Sequence, residues 1–260
     1  MAERLDVIRL QPTTVLDWWS HLGASATVLA QTYPKARIIA VEPEAAPIAM
    51  RPRSPWWSPR RWAAAPAEVL GESAAAQIKA ELLWANMGLH FNQDVEGLLK
   101  RWRGSVAVGG FVMFSTLGPG SLEQLRKIYR EQGWPPPLAP FVDMHDLGDM
   151  LVQAGFADPV MDQEQITLTW ASAEALLAEL RTLGGNLDPQ RTAGLRTPRW
   201  RARLEHLLRA GRGADGRLSL GFEVVYGHAF CPPPRHLLAP STSVPLEDLK
   251  LMARSGRKRG

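Results

Sequence analysis

Apolar and amphipathic segments alternate along the chain in a strand–helix–strand order. The first unit begins with TVLDW (residues 14–18) and ends with RIIAVE (residues 37–42), a β-branched run typical of a buried parallel strand. Ser25 is predicted to cap the intervening helix, and Pro34 stops it. The spacing matches one βαβ unit, whose second strand closes with the acid Glu42.

The same alternation continues through the rest of the chain. Further strands are predicted at AELLWAN (80–86), GGFVMFST (109–116), QITLTW (165–170) and within GRLSLGFEVVYGHAF (216–230), the last hairpinned with an earlier strand. Asp94 and Ser172 are predicted to cap helices, and Ser121 with Gln124 forms a capping-box pattern. The order predicts a doubly wound α/β sheet that binds its ligands at the carboxyl ends of its strands.

The turn after the first strand departs from the usual nucleotide-binding pattern. Such a turn normally reads Asp-x-Gly-x-Gly-x-Gly, because glycine supplies positive φ and lets the backbone approach a ligand closely. Here Trp19 and His21 replace two glycines, and Gly23 remains. Glu42, the acid that closes the second strand, suits the two hydroxyls of a ribose, although Asp17 and Glu42 are also consistent with strands that merely end at solvent.

Longer phrases carry a resemblance to a known family. GGFVMFSTLGPGSL (109–122), FVDMHDLGDMLVQAGFADPVMD (141–162), RTPRWRARLE (196–205) and FEVVYGHAF (222–230) resemble the malonyl-acyl-carrier-protein O-methyltransferases of biotin synthesis, the BioC family. The resemblance runs from about residue 15 to residue 230. It implies a class I methyltransferase domain, a Rossmann-like α/β fold with a seven-stranded sheet and helices on both faces. It also implies S-adenosylmethionine as methyl donor and a malonyl group on an acyl carrier protein as acceptor.

The resemblance assigns the cofactor-binding residues position by position. Asp17 and Gly23 belong to the cofactor turn, Glu42 would hold the ribose, and Asn86 would lie beside the methionine end.

Three departures fall on this cofactor side: the replaced glycines, Pro66 where the family has an adenine-contacting acid, and a short segment before the first strand. They predict weak cofactor binding. A catalytically inactive relative that serves as a binding or regulatory partner therefore stays open as an alternative.

The acceptor side calls for a different set of residues. A carboxylate is already a nucleophile, so its methylation depends on alignment and a dry pocket that orients the anion. A guanidinium suits that task, which makes Arg199 and Arg196 candidates, with His145 and Tyr226 as hydrogen-bonding groups. The arginine-rich run is equally consistent with a solvated helix face, or with docking of the acidic carrier protein.

Two further patterns are weighed and set aside. His145 and Asp149 lie one helical turn apart, but acids in a first helical turn are better explained by capping and the helix dipole, so no metal is predicted. The Arg/Trp-rich residues 51–62 have the composition of a single-stranded nucleic-acid platform. Without a recognised nucleic-acid fold, a surface loop is the preferred interpretation.

Composition narrows the remaining possibilities. The chain has 260 residues, a net charge of +4 and a single cysteine, Cys231. The charged N-terminus lacks a signal-peptide core, and no apolar run is long enough to span a membrane, so a cytoplasmic protein is expected. Residues 1–230 are predicted to form the methyltransferase-like domain, with a cofactor half (1–120) and an acceptor half (121–230). Residues 231–260 are predicted to form a basic, Pro/Ser-rich, mostly disordered tail.

Overall fold

A seven-stranded sheet organises the computed structural model, which describes residues 1–22, 25–43 and 68–234. The strands are β1 (Thr14–Trp18), β2 (Arg37–Glu42), β3 (Glu68–Gly71), β4 (Ala80–Asn86), β5 (Val106–Leu117), β6 (Ala157–Trp170) and β7 (Leu218–Phe230). Their spatial order is β3-β2-β1-β4-β5-β7-β6. Strands β1 to β5 are mutually parallel, and β7 pairs antiparallel with both β5 and β6. The predicted doubly wound sheet is confirmed. The last strand does pair antiparallel with an earlier one, but the predicted hairpin is wrong, because residues 171–217 with two helices separate β6 from β7.

Seven α-helices connect and cover these strands in the described part of the chain. They are α1 (Ser25–Thr32), α2 (Glu72–Ala75), α3 (Val95–Ser105), α4 (Glu123–Glu131), α5 (Met144–Gln153), α6 (Ala173–Thr182) and α7 (Pro198–Ala210). No helix among the described residues has the length and apolarity needed to cross a membrane. Residues 51–62, and residues 235–260 of the predicted tail, lie outside the described residues.

Most residues of the central strands are apolar because the sheet is covered on both faces. Along β4, Leu83 packs into one core cluster with Trp18 and Trp102, whereas Leu82 packs into another with Phe111. Successive side chains of a strand point to opposite faces, so a strand covered on both sides has no polar face. This is why residues 82–85 of β4 form a continuous apolar run.

Two of the predicted helix caps are confirmed. The Asp94 side chain accepts a hydrogen bond from the Gly97 backbone nitrogen at 2.9 Å at the start of α3. Ser172 does the same at α6, where its hydroxyl accepts from the Ala175 nitrogen at 3.1 Å. Each cap satisfies one of the backbone N–H groups that a helix leaves unpaired in its first turn.

The predicted capping box at α4 is wrong. The Ser121 hydroxyl donates to the Glu223 carbonyl and accepts from the Glu223 nitrogen, both at 3.0 Å. Gln124 accepts a hydrogen bond from the Gly221 nitrogen at 3.3 Å. Both side chains therefore join α4 to backbone groups of β7 rather than capping the helix. Tertiary hydrogen bonds replace the local ones that the sequence pattern favoured.

The close approach at Gly227 generates a stability prediction. A Cβ at Gly227 would lie 2.4 Å from Cζ of Phe114, its cross-strand partner on β5. Gly227→Ala should therefore lower the free energy of unfolding by about 1–3 kcal/mol through overpacking, as measured by urea denaturation. Gly221→Ala on the same strand is the matched control, because the nearest atom to its Cβ is 3.8 Å away. Equal effects of the two variants would contradict the prediction.

Candidate active site

Two cavities lie next to each other toward the carboxyl ends of β4 and β5. The first, of about 380 Å³, is lined by Ser25, Trp84, Asn86, Ser115 and Tyr226, among others, and is called the β4 cavity. The second, of about 350 Å³, is lined by residues that include His90, Leu117, Tyr129, Arg196 and Trp200, and is called the α7 cavity. Ser115 lines one cavity and Leu117, two positions on in β5, lines the other. A single strand end therefore contributes to both.

Polar groups of the β4 cavity are fixed by hydrogen bonds. Asn86 ends β4, and its Oδ1 accepts from the Ser115 hydroxyl at 2.7 Å, which leaves its NH₂ group as the donor available to a ligand. The Trp84 indole N–H donates to the Ser25 hydroxyl at 3.0 Å on the opposite wall. Tyr226 also lies here, and its hydroxyl donates to Glu164 at 3.2 Å. Asn86 and Tyr226, both predicted site residues, thus line one cavity.

The N-terminal segment contributes a wall of the β4 cavity. Met1 and Ala2 line it, and residues Ala2–Val7 form a 3₁₀ helix. The Arg4 guanidinium lies 3.7 Å from the centre of the Tyr226 ring and pairs with Asp162. Burial, together with the nearby Glu164 carboxylate, raises the pKa of Tyr226 above its ordinary value, so the hydroxyl is protonated at neutral pH.

The predicted ribose acid, Glu42, is already engaged by the turn after β1. Glu42 ends β2 and is 8% exposed. Its Oε1 accepts from the Ser20 hydroxyl at 2.5 Å, and its Oε2 lies 2.5 Å from Nδ1 of His21. Asp17, the other acid of the motif, is buried in β1. Gly23 and Pro66 lie outside the described residues.

Trp19 fills space that a glycine at position 19 would leave empty. It has a φ of 55°, the left-handed conformation for which glycine is normally selected. Its indole is buried, and its Nε1 donates at 2.6 Å to Oε1 of Glu72, the residue that follows β3. A Cβ placed on Gly88, two residues after β4, would lie 3.1 Å from the indole ring. The side chain therefore extends over the ends of the strands instead of pointing to solvent.

The lining of the α7 cavity is mostly apolar, and Arg196 lies in it together with Arg181 and Arg201. The Arg196 guanidinium lies 4.4 Å from the centre of the Trp200 ring and makes no ion pair with any described residue. The neighbouring Arg201 is instead paired with Glu205 at 2.8 Å. The Trp200 indole nitrogen is buried and finds no hydrogen-bond acceptor among the described residues. A carboxylate would be a suitable ligand for the Arg196 guanidinium.

His90 is a wall residue of the α7 cavity that sequence reasoning had left without a role. It packs against Phe91 and Phe141, with ring centroids 4.3 and 5.8 Å away, and its Nδ1 lies 3.3 Å from Oγ1 of Thr116. Burial lowers the pKa of His90 to about 4, so the ring is neutral at physiological pH. His90 lies four residues beyond Asn86, just after the end of β4. Ligands of doubly wound sheets bind at such strand ends, so this position could have identified it from the sequence.

Two other predicted residues lie on the surface, away from both cavities. His145 is exposed, and its backbone nitrogen donates to Asp143, which caps α5. Arg199 is exposed on α7 and lines neither cavity. Within the described ranges, no three metal-ligating side chains come together. The structure thus groups Asn86 with Tyr226, places Arg196 in the adjoining cavity, and separates both from His145 and Arg199.

S-adenosylmethionine, the donor that the resemblance implies, fits one half of this arrangement. The methionine end would be held by the NH₂ group of Asn86 in the β4 cavity, and the Ser115 hydroxyl would keep Asn86 in position. The ribose would need the two oxygens of Glu42, and both are in contact with Ser20 and His21. The nucleoside half therefore fits only if the turn moves away from Glu42.

Comparison with known proteins gives a consistent set of relatives. The chain is 36% identical over 241 residues to a malonyl-[acyl-carrier protein] O-methyltransferase of Gallionella capsiferriformans, a match that covers 90% of this chain and 82% of the relative. It is 37% identical to the protein of the same name from Halorhodospira halophila, over 88% of this chain and 78% of the relative. No protein-family model matches the chain.

Solved structures show the same fold at much lower sequence identity. YcgJ of Bacillus subtilis superposes with a TM-score of 0.57 at 9% identity, over 89% of this chain and 97% of its own. A Bacillus halodurans protein assigned as a methyltransferase gives 0.56 at 12% identity, over 89% and 98% of the two chains. The predicted class I methyltransferase fold is thereby confirmed.

The neutral state of His90 generates a prediction on pH. Its folded pKa of about 4 lies below the ordinary value of 6.5, so the unfolded chain binds the extra proton first as the pH falls. The resulting stability is present above about pH 6.5 and is lost as the pH falls toward 4. His90→Gln should flatten this part of the curve of unfolding free energy against pH.

Nuclear magnetic resonance gives a direct reading of the same group. The imidazole signal that disappears in His90→Gln should titrate with a midpoint near 4 in the native protein. A midpoint near the ordinary value of about 6.5 would show that the ring is solvated and is not a buried wall of the cavity.

Proposed function

This chain belongs to the family of malonyl-[acyl-carrier protein] O-methyltransferases, and we propose that it methylates the free carboxylate of a malonyl group carried by an acyl carrier protein in biotin synthesis. When bound, S-adenosylmethionine supplies an electrophilic methyl group, and the products are a methyl ester and S-adenosylhomocysteine. The observation that carries the proposal is the pair of adjoining cavities, one lined by Asn86 and the other by Arg196.

The residues of the α7 cavity suit a carboxylate acceptor. Since the carboxylate is itself the nucleophile, the protein needs no general base, and its task is to orient the anion and exclude water. Arg196 can serve as the orienting cation because no described carboxylate competes for it and its stacking on Trp200 limits its freedom. Neutral His90 leaves the wall beside Thr116 uncharged but able to hydrogen-bond.

The outer surface of α7 suits the carrier protein rather than the malonyl group. Arg199 and Arg203 are exposed on this helix. An acidic carrier protein would be drawn to such a surface by long-range electrostatic attraction, which mainly affects the rate of encounter and weakens with salt. In this assignment, Arg196 contacts the acceptor group and Arg199 contacts its carrier.

The alternative of an inactive relative is not favoured by the comparisons. The matched relatives are named as O-methyltransferases, and the match extends over about nine-tenths of this chain. The α7 cavity, which we assign to the acceptor, also has Arg196 in its wall, and Arg196 forms no ion pair with any described residue. The proposal is therefore the active enzyme.

Methylation of two acceptors tests these roles. The native chain with S-adenosylmethionine should add one methyl group to malonyl carrier protein, detected by mass spectrometry, and more slowly to a small malonyl thioester. Arg196→Gln should lower kcat/KM by about ten- to hundredfold for both acceptors, the worth of one charge-assisted hydrogen bond.

Arg199→Gln is the matched control, three residues further along the same basic segment. It should lower kcat/KM for the carrier-bound acceptor only, and the loss should shrink at high salt. Equal losses with the small thioester in both variants would contradict the division of roles. Absence of methyl transfer by the native chain to either acceptor would contradict the proposed function itself.

A further inference from the structure

The turn after β1 binds the acids at the ends of two neighbouring strands. Ser20 and His21 each contact one oxygen of Glu42, which ends β2. Trp19 donates its indole N–H to Glu72, the residue that follows β3. Three consecutive side chains thus cover two carboxylates at the edge of the sheet where ligands of doubly wound folds bind.

These three side chains present the chemical groups of a nucleoside. A hydroxyl and an imidazole N–H on the two oxygens of Glu42 match the two hydrogen bonds that ribose hydroxyls would donate to one carboxylate. The Trp19 indole is a flat aromatic ring that donates an N–H to Glu72. A purine base is also a flat aromatic ring, and its exocyclic amine could donate an N–H in the same way. A nucleoside and the turn would therefore compete for the same carboxylates.

The backbone of the turn holds this arrangement under strain. Trp19 has a φ of 55°, which is unfavourable for a bulky residue. Its conformation is maintained by the indole bond to Glu72 and by a backbone hydrogen bond from its nitrogen to the Val41 carbonyl at 2.7 Å. Glycine at positions 19 and 21 would accept the same backbone path without strain and would have no side chain to place on either acid.

We propose that Trp19, Ser20 and His21 occupy the nucleoside half of the donor site in the free protein, and that the methyl donor binds by displacing them from Glu42 and Glu72. The inference rests on the proposed function, which supplies the donor. Only the fraction of molecules with the turn displaced is competent, and the apparent affinity for the donor falls by that fraction. The residues that replace the glycines then lower the affinity for the donor without abolishing the donor site.

Calorimetric titration with S-adenosylhomocysteine tests the competition without measuring activity. The double variant Ser20→Ala/His21→Gly removes both contacts to Glu42 and should bind at least about tenfold more tightly than the native chain, because a larger fraction is competent. His21 is exposed and Ser20 is partly exposed, so the variant leaves the core intact. Leu22→Ala, an exposed change in the same turn, is the matched control and should leave the affinity within about twofold.

A further variant addresses the base-like contact. Trp19→Phe keeps an aromatic ring but cannot donate to Glu72, and it should also bind S-adenosylhomocysteine more tightly than the native chain. Because Trp19 is buried, the thermal unfolding of this variant is also measured, to show that the fold is retained.

The outcomes separate the inference from the proposed function. If the native chain binds S-adenosylhomocysteine and the double variant binds equally or more weakly, Ser20 and His21 do not compete with the donor. The inference is then overturned, and the proposed function stands. If neither protein binds at millimolar ligand, displacing the turn does not open a donor site, and both the inference and the proposed donor are contradicted.

Discussion

The parallel register of the central strands is the constraint on which the rest of the structure depends. Pairing of Asp17 with Ala40 and of Asn86 with Ser115 aligns β1 with β2 and β4 with β5, so their carboxyl ends reach the same edge of the sheet. Side chains that are far apart in sequence therefore lie close together at the carboxyl ends of these strands. Ser115 and Leu117 lie two positions apart on β5 and so point to the same face of the sheet, where Ser115 lines the β4 cavity and Leu117 lines the α7 cavity.

The sequence predicted the features that depend on local pattern. The apolar runs identified the central strands, Asp94 and Ser172 were correct as caps, and Asn86 was correctly placed at a strand end. The errors and omissions involve contacts between distant segments. Ser121 bonds to Glu223, 102 positions away, instead of capping its own helix. Such partners depend on how helices pack on the sheet, which short-range patterns do not encode.

The turn shows the same limit in the candidate site. The replaced glycines were evident from the sequence, and they indicated an altered cofactor loop. The contacts of the substituted side chains were not evident from the sequence, because Trp19 bonds to Glu72, 53 positions away, and His21 contacts Glu42, 21 positions away. The position of His90 beyond the end of β4 was visible in the sequence, but its contact with Phe141 across the α7 cavity depends on tertiary packing.

The structure has a class I methyltransferase fold with an open α7 cavity, which we propose takes the acceptor, and a turn after β1 that covers Glu42, where we propose that the donor binds. The most direct test is a crystal structure of the chain with S-adenosylhomocysteine and a malonyl thioester. The account predicts that the ribose lies on Glu42, with Ser20 and His21 displaced, and that the malonyl carboxylate lies in the α7 cavity near Arg196. A ligand bound elsewhere, with the turn still on Glu42 and the α7 cavity empty, would contradict it.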